Sequence, residues 1–250
     1  MNTVAKISQT RRNLKKYLKH DWDTSVIEDL SIKEVDSLYG LSVPQTQGVP
    51  SFGPCTPCNF TVNHREIPEH QLHVIYYNFG EKNEPPPKIT KTCGEKIRSL
   101  YDNDIIKSDD SLLLIFQSPI TDTIAKTIED IYTDGQETLK QTNLSDDVLG
   151  ANEGLDEPYR LAHFRNIHAF YLDHLAIDIT AHEIVPIHES LRKENDIQEV
   201  LKKCNCKLHQ LPKIMRTDPQ AKCMRLAPDD ICKITRTSSV GEVVTYRVCI

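Results

Sequence analysis

Thr180-Ala-His-Glu-Ile-Val-Pro186 leads into a charged run from Leu191 to Cys206, then Leu211-Pro-Lys-Ile214 and Thr217-Asp-Pro219; this stretch decides the reading. A short polar lead enters a turn bounded by Val185-Pro186. The run from Leu191 to Cys206 predicts a charged helix, and Pro212 breaks it, because proline lacks the N–H that an interior helical turn needs; a third proline, Pro219, follows Asp218. Beyond Asp218 the sequence reads as strands, Ile231–Thr235 and Val243–Cys249, with Ser238-Ser-Val-Gly241 as a hairpin-like connection. The chain stops in or just past the last strand, so a packed C-terminus is expected. Everything before Thr180 reads as a separate, more acidic α/β unit.

Charge marks the same division. The 250 residues carry a net charge of −6. Up to Ile179 there are 18 basic and 27 acidic residues, a balance of −9; from Thr180 there are 12 and 9, a balance of +3. Such asymmetry implies two units with different partners. It excludes a general nucleic-acid binder, which would be basic overall. No apolar run approaches the ~20 residues of a membrane helix. Met1–Gln9 lacks an apolar signal region, so no export signal is expected. The eight cysteines, at 55, 58, 93, 204, 206, 223, 232 and 249, then read as free thiols in a reducing compartment.

In the first unit, residues 4 to 20 have helical spacing. Ile7, Leu14, Tyr17 and Leu18 share one side, and Arg11, Arg12, Lys15, Lys16 and Lys19 fill the other. That basic side meets phosphate or is simply solvated. Ser31 followed by Glu34 is a capping-box pattern ahead of a short helix, with Val35 and Leu38 facing inward. Residues 43 to 70 are expected to be irregular, because Pro44, Pro50, Pro54, Pro57 and Pro68 forbid a continuous helix or a central strand. A strand at Leu72–Phe79, a helix at Cys93–Tyr101, a doubly covered strand at Leu112–Phe116, a helix face at Ile120, Ile124, Ile128 and Ile131, and a strand at Ile167–Leu172 give an α/β sheet with crossovers. The acidic stretch 133–163 reads as a mobile, solvated loop.

Chemistry is sparse. Cys55-Thr-Pro-Cys58 with His64, His70 and His73 fits zinc spacing only loosely, and no second C-x-x-C completes a site. His182-Glu183 with His188 is no metalloprotease motif, since Pro186 occupies the position of the second histidine. No phosphate-loop, dinucleotide or nucleophile-elbow motif occurs. Asp109-Asp110 is the one enzymatic option, a magnesium nuclease; the following strand lacks the acid-x-Lys spacing, and two adjacent acids read as a solvated turn. No catalytic residue, resident metal or cofactor is expected.

From Thr180 onward the chain resembles the assembly domain of the fifth, shared subunit of eukaryotic RNA polymerases and of its archaeal counterpart. The resemblance rests on His182, Glu183, Val185, Pro186 and His188, on Leu211, Pro212, Ile214, Thr217, Asp218 and Pro219, and on Lys233-Ile234, Arg236, Ser238, Gly241, Tyr246 and Arg247. One departure is Arg225-Leu-Ala-Pro-Asp229, where the family carries Gly-Leu-Lys-Arg-Gly. The first unit resembles the family's jaw domain more weakly, through its basic first helix and its strand–helix order. Ile120–Lys126 resembles the loop that approaches downstream DNA; the usual proline falls at Asp122 here, or else is Pro119 with a shifted register.

The resemblance implies an α/β N-terminal jaw-like domain, residues 1–179, with a mixed sheet, flanking helices and insertions near 44–70 and 133–163. A small α+β C-terminal assembly domain, residues 180–250, follows. It implies a non-catalytic subunit of a multisubunit DNA-directed RNA polymerase, docked on the largest subunit and lying near downstream duplex DNA. Partner contacts are expected at His182, Glu183, Pro186, His188, Leu211, Pro212, Asp218, Pro219, Arg236, Tyr246 and Arg247. Arg11, Arg12, Lys15, Lys16, Thr121, Asp122, Thr123 and Lys126 are expected near DNA. No membrane contact is expected. The divergence points to a large DNA virus or a distant eukaryote, hence to virion or host cytoplasm in the first case and nucleus in the second. The rival readings are the magnesium nuclease and a free adaptor carrying an assembly domain.

Overall fold

All six residues of the strand Ser111–Phe116 are buried, which is what an unbroken apolar run requires when both faces of a sheet are covered. The computed structural model describes residues 2–41, 52–82, 84–89, 92–238 and 241–250. In chain order the elements are α1 (Thr3–Leu18), α2 (Ile32–Leu38), β1 (Phe60–Asn63), β2 (Gln71–Tyr77), α3 (Thr92–Asp102), β3 (Ser111–Phe116), α4 (Asp122–Thr142), α5 (Asp146–Glu153), β4 (Ile167–Tyr171), α6 (Leu172–Leu175), β5 (Ile187–Leu191), α7 (Glu194–Cys204), β6 (Lys213–Ile214), α8 (Pro219–Cys223), β7 (Ile231–Ser238) and β8 (Gly241–Cys249). They build two four-stranded sheets with flanking helices, ordered β1-β2-β3-β4 and β5-β7-β8-β6.

The first sheet is mixed: β1 is antiparallel to β2, while β2, β3 and β4 are parallel. Strand alternation sorts its side chains onto two faces. Leu72, Val74, Tyr76, Leu113 and Ile115 meet Ile7, Leu14 and Leu18 of α1. Ile75, Tyr77, Leu112, Leu114 and Phe116 meet Ile97 and Leu100 of α3 and Ile124, Ile128 and Ile131 of α4. The capping box at α2 forms as expected: Ser31 Oγ accepts from the Glu34 amide and Glu34 accepts from the Ser31 amide at 2.7 Å.

Two expectations for this unit change. Residues 133–163 are not a mobile loop. Tyr132, Gly135, Gln136 and Leu139 continue the buried face of α4, and α5 follows. Leu139, Leu144, Val148, Tyr159 and Phe164 close a small core with Ile67. The acids that suggested a loop lie mainly on the exposed side of these helices. The irregular stretch 43–70 contains the edge strand β1 (its Pro44, Gly48 and Pro50 lie outside the described residues).

In the second sheet the expected β7–β8 hairpin forms, pairing from Ile231↔Val248 to Ser238↔Gly241; residues 239 and 240 of its connection lie outside the described residues. The charged run is shorter than its sequence implies. Ile187–Leu191 is a strand antiparallel to β7, and the helix begins only at Glu194. Leu191 is thus a strand residue that packs with Ile197 and Val200 of α7 on Ile231 and Val248. The region beyond Asp218 is also not strands alone, since it opens with α8, and a short strand precedes it. The two-residue β6 runs parallel to β8, and Asp218 caps α8 with Pro219 in its first turn, where a missing N–H costs nothing.

Three buried arginines join the sheets. Arg192 donates to Asp21 and to the Met224 carbonyl, with Asp230 3.4 Å from its Nε. Arg216 donates to Glu129 at 2.7 and 2.8 Å, to Asn166 Oδ1 at 2.9 Å and to the Ile167 carbonyl at 3.1 Å. Arg225 donates to the carbonyls of Leu112 at 3.2 Å and Asn166 at 2.7 Å. Lys222 adds a bond to the Ala169 carbonyl at 3.1 Å. Ile167 and Ala169 lie on the edge strand β4, so these cations occupy carbonyls that an open edge would leave free.

Candidate interaction surface

The second sheet has a covered base and a bare far end. On one face, α7 covers Leu191, Ile231 and Val248. On the other, Ile214, Ala221 and Leu226 cover Cys232, Ile234 and Cys249. Toward the hairpin both covers run out. Ile187, Thr235 and Val244 stand side by side in register, with Ile187 66% and Val244 39% exposed. Ile184, just ahead of β5, is 85% exposed, and Val243, on the opposite face beside Arg236, is 51% exposed. A finished core leaves no reason to expose clustered aliphatic residues, and such clusters mark contact sites.

Of the sequence-expected contact residues, His182, Glu183 and Pro186 lie in the lead into β5, and His188 and Arg236 in the strands near this end; Tyr246 and Arg247 pair nearer the covered base, and the others lie outside it. His182 and Glu183 are exposed, and the His182 ring accepts from the Ile184 amide at 3.3 Å, which shapes the lead into β5. Pro186 is half-buried, and its carbonyl is bonded by His188 Nδ1 at 2.7 Å. Arg236 faces Val243 across the hairpin; Tyr246 is half-buried, beside Lys233. Arg247 is exposed and donates to the Lys213 carbonyl at 3.1 Å, tying β8 to β6. Leu211 is buried against α7, and Asp218 Oδ1 accepts from the amides of Gln220 and Ala221. Those two serve the fold. Pro212 and Pro219 are exposed. The Lys233–Glu189 pair on the same sheet raises the lysine above its ordinary range through their 2.7 Å bond.

The basic side of α1 is less free than its sequence suggests. Arg11 is buried, donates to the carbonyls of Cys58 at 2.9 Å and Glu28 at 3.2 Å, and lies over Phe60. Lys15 pairs with Asp29 and Lys16 with Asp178. Arg12 and Lys19 remain exposed, without an ion pair among the described residues. Ile120–Lys126 is not a loop throughout. Thr121 caps α4 by accepting from the Ile124 amide, and Asp122 and Thr123 form the first turn with Lys126 exposed behind them.

The magnesium option loses its ligands. Asp109 and Asp110 are buried, so they are not a solvated turn. Asp110 accepts from the Gln71 amide at 2.9 Å and pairs with His73 Nε2 at 3.0 Å. Asp109 accepts from Ser145 Oγ at 2.6 Å. Both carboxylates are engaged in holding loops. Among the described residues no three or more His, Cys, Asp or Glu side chains are grouped to hold a metal ion, and no helix is long and apolar enough to cross a membrane.

Sequence reasoning missed the junction arginines and the aliphatic pair Ile184 and Ile187. The signal for the pair was present: both flank Val185-Pro186, where a polar lead carries more aliphatic surface than a turn needs. The arginines gave no signal, because an arginine destined for burial is spelled like any other.

Against known proteins, the family model described as RNA polymerase Rpb5, C-terminal domain, matches residues 177–249. The DNA-directed RNA polymerase subunit Rpo5 of Sulfurisphaera tokodaii is 48% identical over 77 residues, which is 30% of this chain and 90% of that protein. The Rpo5 subunit of Methanococcus maripaludis is 44% identical over 73 residues, 29% of this chain and 92% of that protein. The DNA-directed RNA polymerases I, II, and III subunit rpabc1 of Dictyostelium discoideum is 39% identical over 77 residues, 30% of this chain and 39% of that protein.

Proposed function

This chain belongs to the RNA polymerase Rpb5 family, and we propose from that membership that it is a non-catalytic subunit of a multisubunit DNA-directed RNA polymerase. Residues 180–250 act as the assembly domain and dock on the largest subunit. Residues 1–179 act as a jaw beside the incoming duplex, with the stretches near 44–70 and 133–163 as additions to the family's plan. The observation that supports docking is the bare aliphatic end of the second sheet, Ile184, Ile187, Val243 and Val244, beside His182, Glu183, Pro186 and His188. Covering apolar surface returns about 25 cal/mol per Å². A pre-shaped strand edge gives up little order when it is covered.

Contact with DNA falls to Arg12, Lys19 and Lys126, exposed cations without an ion pair among the described residues. With a balance of −9 over residues 1–179, that contact is local, phosphate-directed and weakened by salt. A cellular copy works in the nucleus; a viral copy works in the virion or host cytoplasm.

The test is recovery of an affinity-tagged full chain from the cell or infection that makes it. Stoichiometric recovery with the two large polymerase subunits is the expected result. Recovery as a free monomer, or on an unrelated assembly, discards it in favour of the adaptor reading. Divalent-dependent cleavage of DNA by the purified chain would instead revive the nuclease.

A further inference from the structure

Cys55 and Cys58 bracket one turn of 3-10 helix, Thr56–Cys58, with Cys55 as its N-cap. The Cys58 amide donates to the Cys55 carbonyl at 2.9 Å. A turn closed in this way brings its end Cα atoms to under about 7 Å, a span that a disulfide bridges. Residues three apart in 3-10 geometry eclipse one another, so both thiols leave the turn on one side. Both are buried, in the cluster that also holds Val35 and Tyr39.

The two thiols are unequal. A hydrogen bond from Cys55 holds the Cys58 thiol below its ordinary range, and Arg11, whose guanidinium donates to the Cys58 carbonyl at 2.9 Å, works in the same direction. Burial and that same contact push Cys55 up. The other buried thiols, Cys93, Cys223, Cys232 and Cys249, are all pushed up by burial. The neighbouring guanidinium also disfavours a metal cation between the sulfurs, and no third ligand joins them among the described residues.

We propose that Cys55 and Cys58 are a dithiol–disulfide couple that exchanges with a low-molecular-weight disulfide of the glutathione type. The Cys58 thiolate attacks one sulfur of the small disulfide. The S–S bond breaks, one small thiolate leaves and takes up a proton, and a mixed disulfide stands on Cys58. Cys55 then loses its proton and attacks the Cys58 sulfur, expelling the second small thiol. Two cysteine thiols and one small disulfide become one internal disulfide and two small thiols, with two electrons passing to the small molecule. Because both sulfurs are buried, the first step waits on local opening of the turn. The turn is a joint: Cys58 anchors Arg11 of α1, and Asn59 Oδ1 accepts from the Tyr76 amide of β2 at 2.8 Å. Oxidation locks that joint.

The full chain is equilibrated in glutathione buffers stepped from reduced to oxidised, quenched in acid, unfolded, alkylated and mapped by peptide mass. The expected result is a peptide in which Cys55 and Cys58 escape alkylation together and which has lost two hydrogens, while exposed Cys204 reacts as a single thiol. In Cys55→Ser, glutathione stays on Cys58; in Cys58→Ser, Cys55 is glutathionylated about tenfold more slowly. Full alkylation of both cysteines at every step overturns the proposal in the wild-type chain alone, whatever the variants do. Equal rates in the two variants overturn the assignment of Cys58 as the attacking sulfur.

Discussion

Arg225 donates from the second sheet's unit to the main-chain carbonyl of Leu112, on an interior strand of the first sheet, at 3.2 Å. The same guanidinium reaches the Asn166 carbonyl, and Asn166 Nδ2 returns a bond to the Arg225 carbonyl at 3.1 Å. Arg225 does this from a left-handed backbone, φ +53°, where the resemblance expects glycine. Its side chain thus occupies a position that glycine would leave empty and satisfies two carbonyls of the first unit. That backbone costs a non-glycine residue roughly 1–2 kcal/mol, and bonds from a charged donor, ~1.5–3 kcal/mol each, offset it.

Two substitutions at 225 separate these effects. Arg225→Ala keeps the strained backbone and loses the bonds, so it should lower stability by about 3 kcal/mol. Arg225→Gly loses the same bonds and relieves the strain, so it should be milder by about 1 kcal/mol. Urea unfolding of both variants measures the gap. A glycine variant no more stable than the alanine variant would show that the positive φ carries no cost here.

Arg216 and Glu129 should respond unequally to removal, although they form one ion pair. The Glu129 side chain is 48% exposed and that of Arg216 4%. Glu129→Gln should cost under about 1 kcal/mol, as exposed partners do. Arg216→Ala strips bonds from Asn166 Oδ1 and the Ile167 carbonyl and removes the cation 3.6 Å from the Tyr132 ring centroid, so it should cost about 3 kcal/mol. Thermal or urea unfolding of the two single variants decides it; equal costs would contradict the asymmetry.

How far the sequence could be read follows from what each feature is made of. β3, α1, the Ser31 box and the β7–β8 hairpin were legible because periodicity and caps are local properties. The continuation of α4 through Thr142 was obscured because acidic residues on the exposed face resemble a solvated loop, while the buried face needs only Ile131, Gln136 and Leu139 to continue. β5 was hidden because its sequence, Ile187-His-Glu-Ser-Leu191, gains its strand character from pairing with β7, a partner 40 to 48 positions away. At the candidate surface, Pro186 and Arg247 were singled out by resemblance alone, and their contact with a partner stays a proposal. The burial of Arg11 and Leu211 depends on tertiary neighbours that no local pattern names.

Acid should destabilise the fold well above the pH at which carboxylates protonate. Burial lowers His64 from 6.5 to about 4 and holds His70, His163 and His168 well below the ordinary value. His163 and His168 have no hydrogen-bond partner at either ring nitrogen. With native values below 6.5, the unfolded chain binds protons first as pH falls. The stability is therefore complete above about 6.5 and is lost as pH falls toward 4. A histidine that stays neutral in the fold while it is protonated in the unfolded chain contributes about 1.4 kcal/mol per pH unit. Urea unfolding at pH 7.5, 6.5 and 5.5 reads the slope. His163→Phe, which keeps the ring stacked on Tyr159 at 4.6 Å, should flatten it by one histidine's share. A flat profile between pH 7.5 and 5.5 would contradict the burial of these rings.

Docking through the bare sheet end makes a prediction that stability measurements alone cannot imitate. Ile187 lies on an edge strand and Val244 stands in the same row across β7. Lysine is tolerated on edge strands, and both side chains face solvent, so Ile187→Lys and Val244→Lys should change unfolding free energy by no more than about 0.5 kcal/mol. Burying a lysine where an aliphatic group was to be covered should nevertheless reduce recovery with the large polymerase subunits by about tenfold or more, the range of a residue central to an interface. Arg247→Ala is a poorer probe, because Arg247 also holds the Lys213 carbonyl and its loss loosens β6. Since Ile187 and Val244 are neighbours, the double variant should fall short of the product of the single effects. Normal recovery of both single variants, with the fold intact by circular dichroism, would move the docking surface elsewhere on the second sheet's unit. The exposed Pro212 and Pro219 would then be the next positions to substitute.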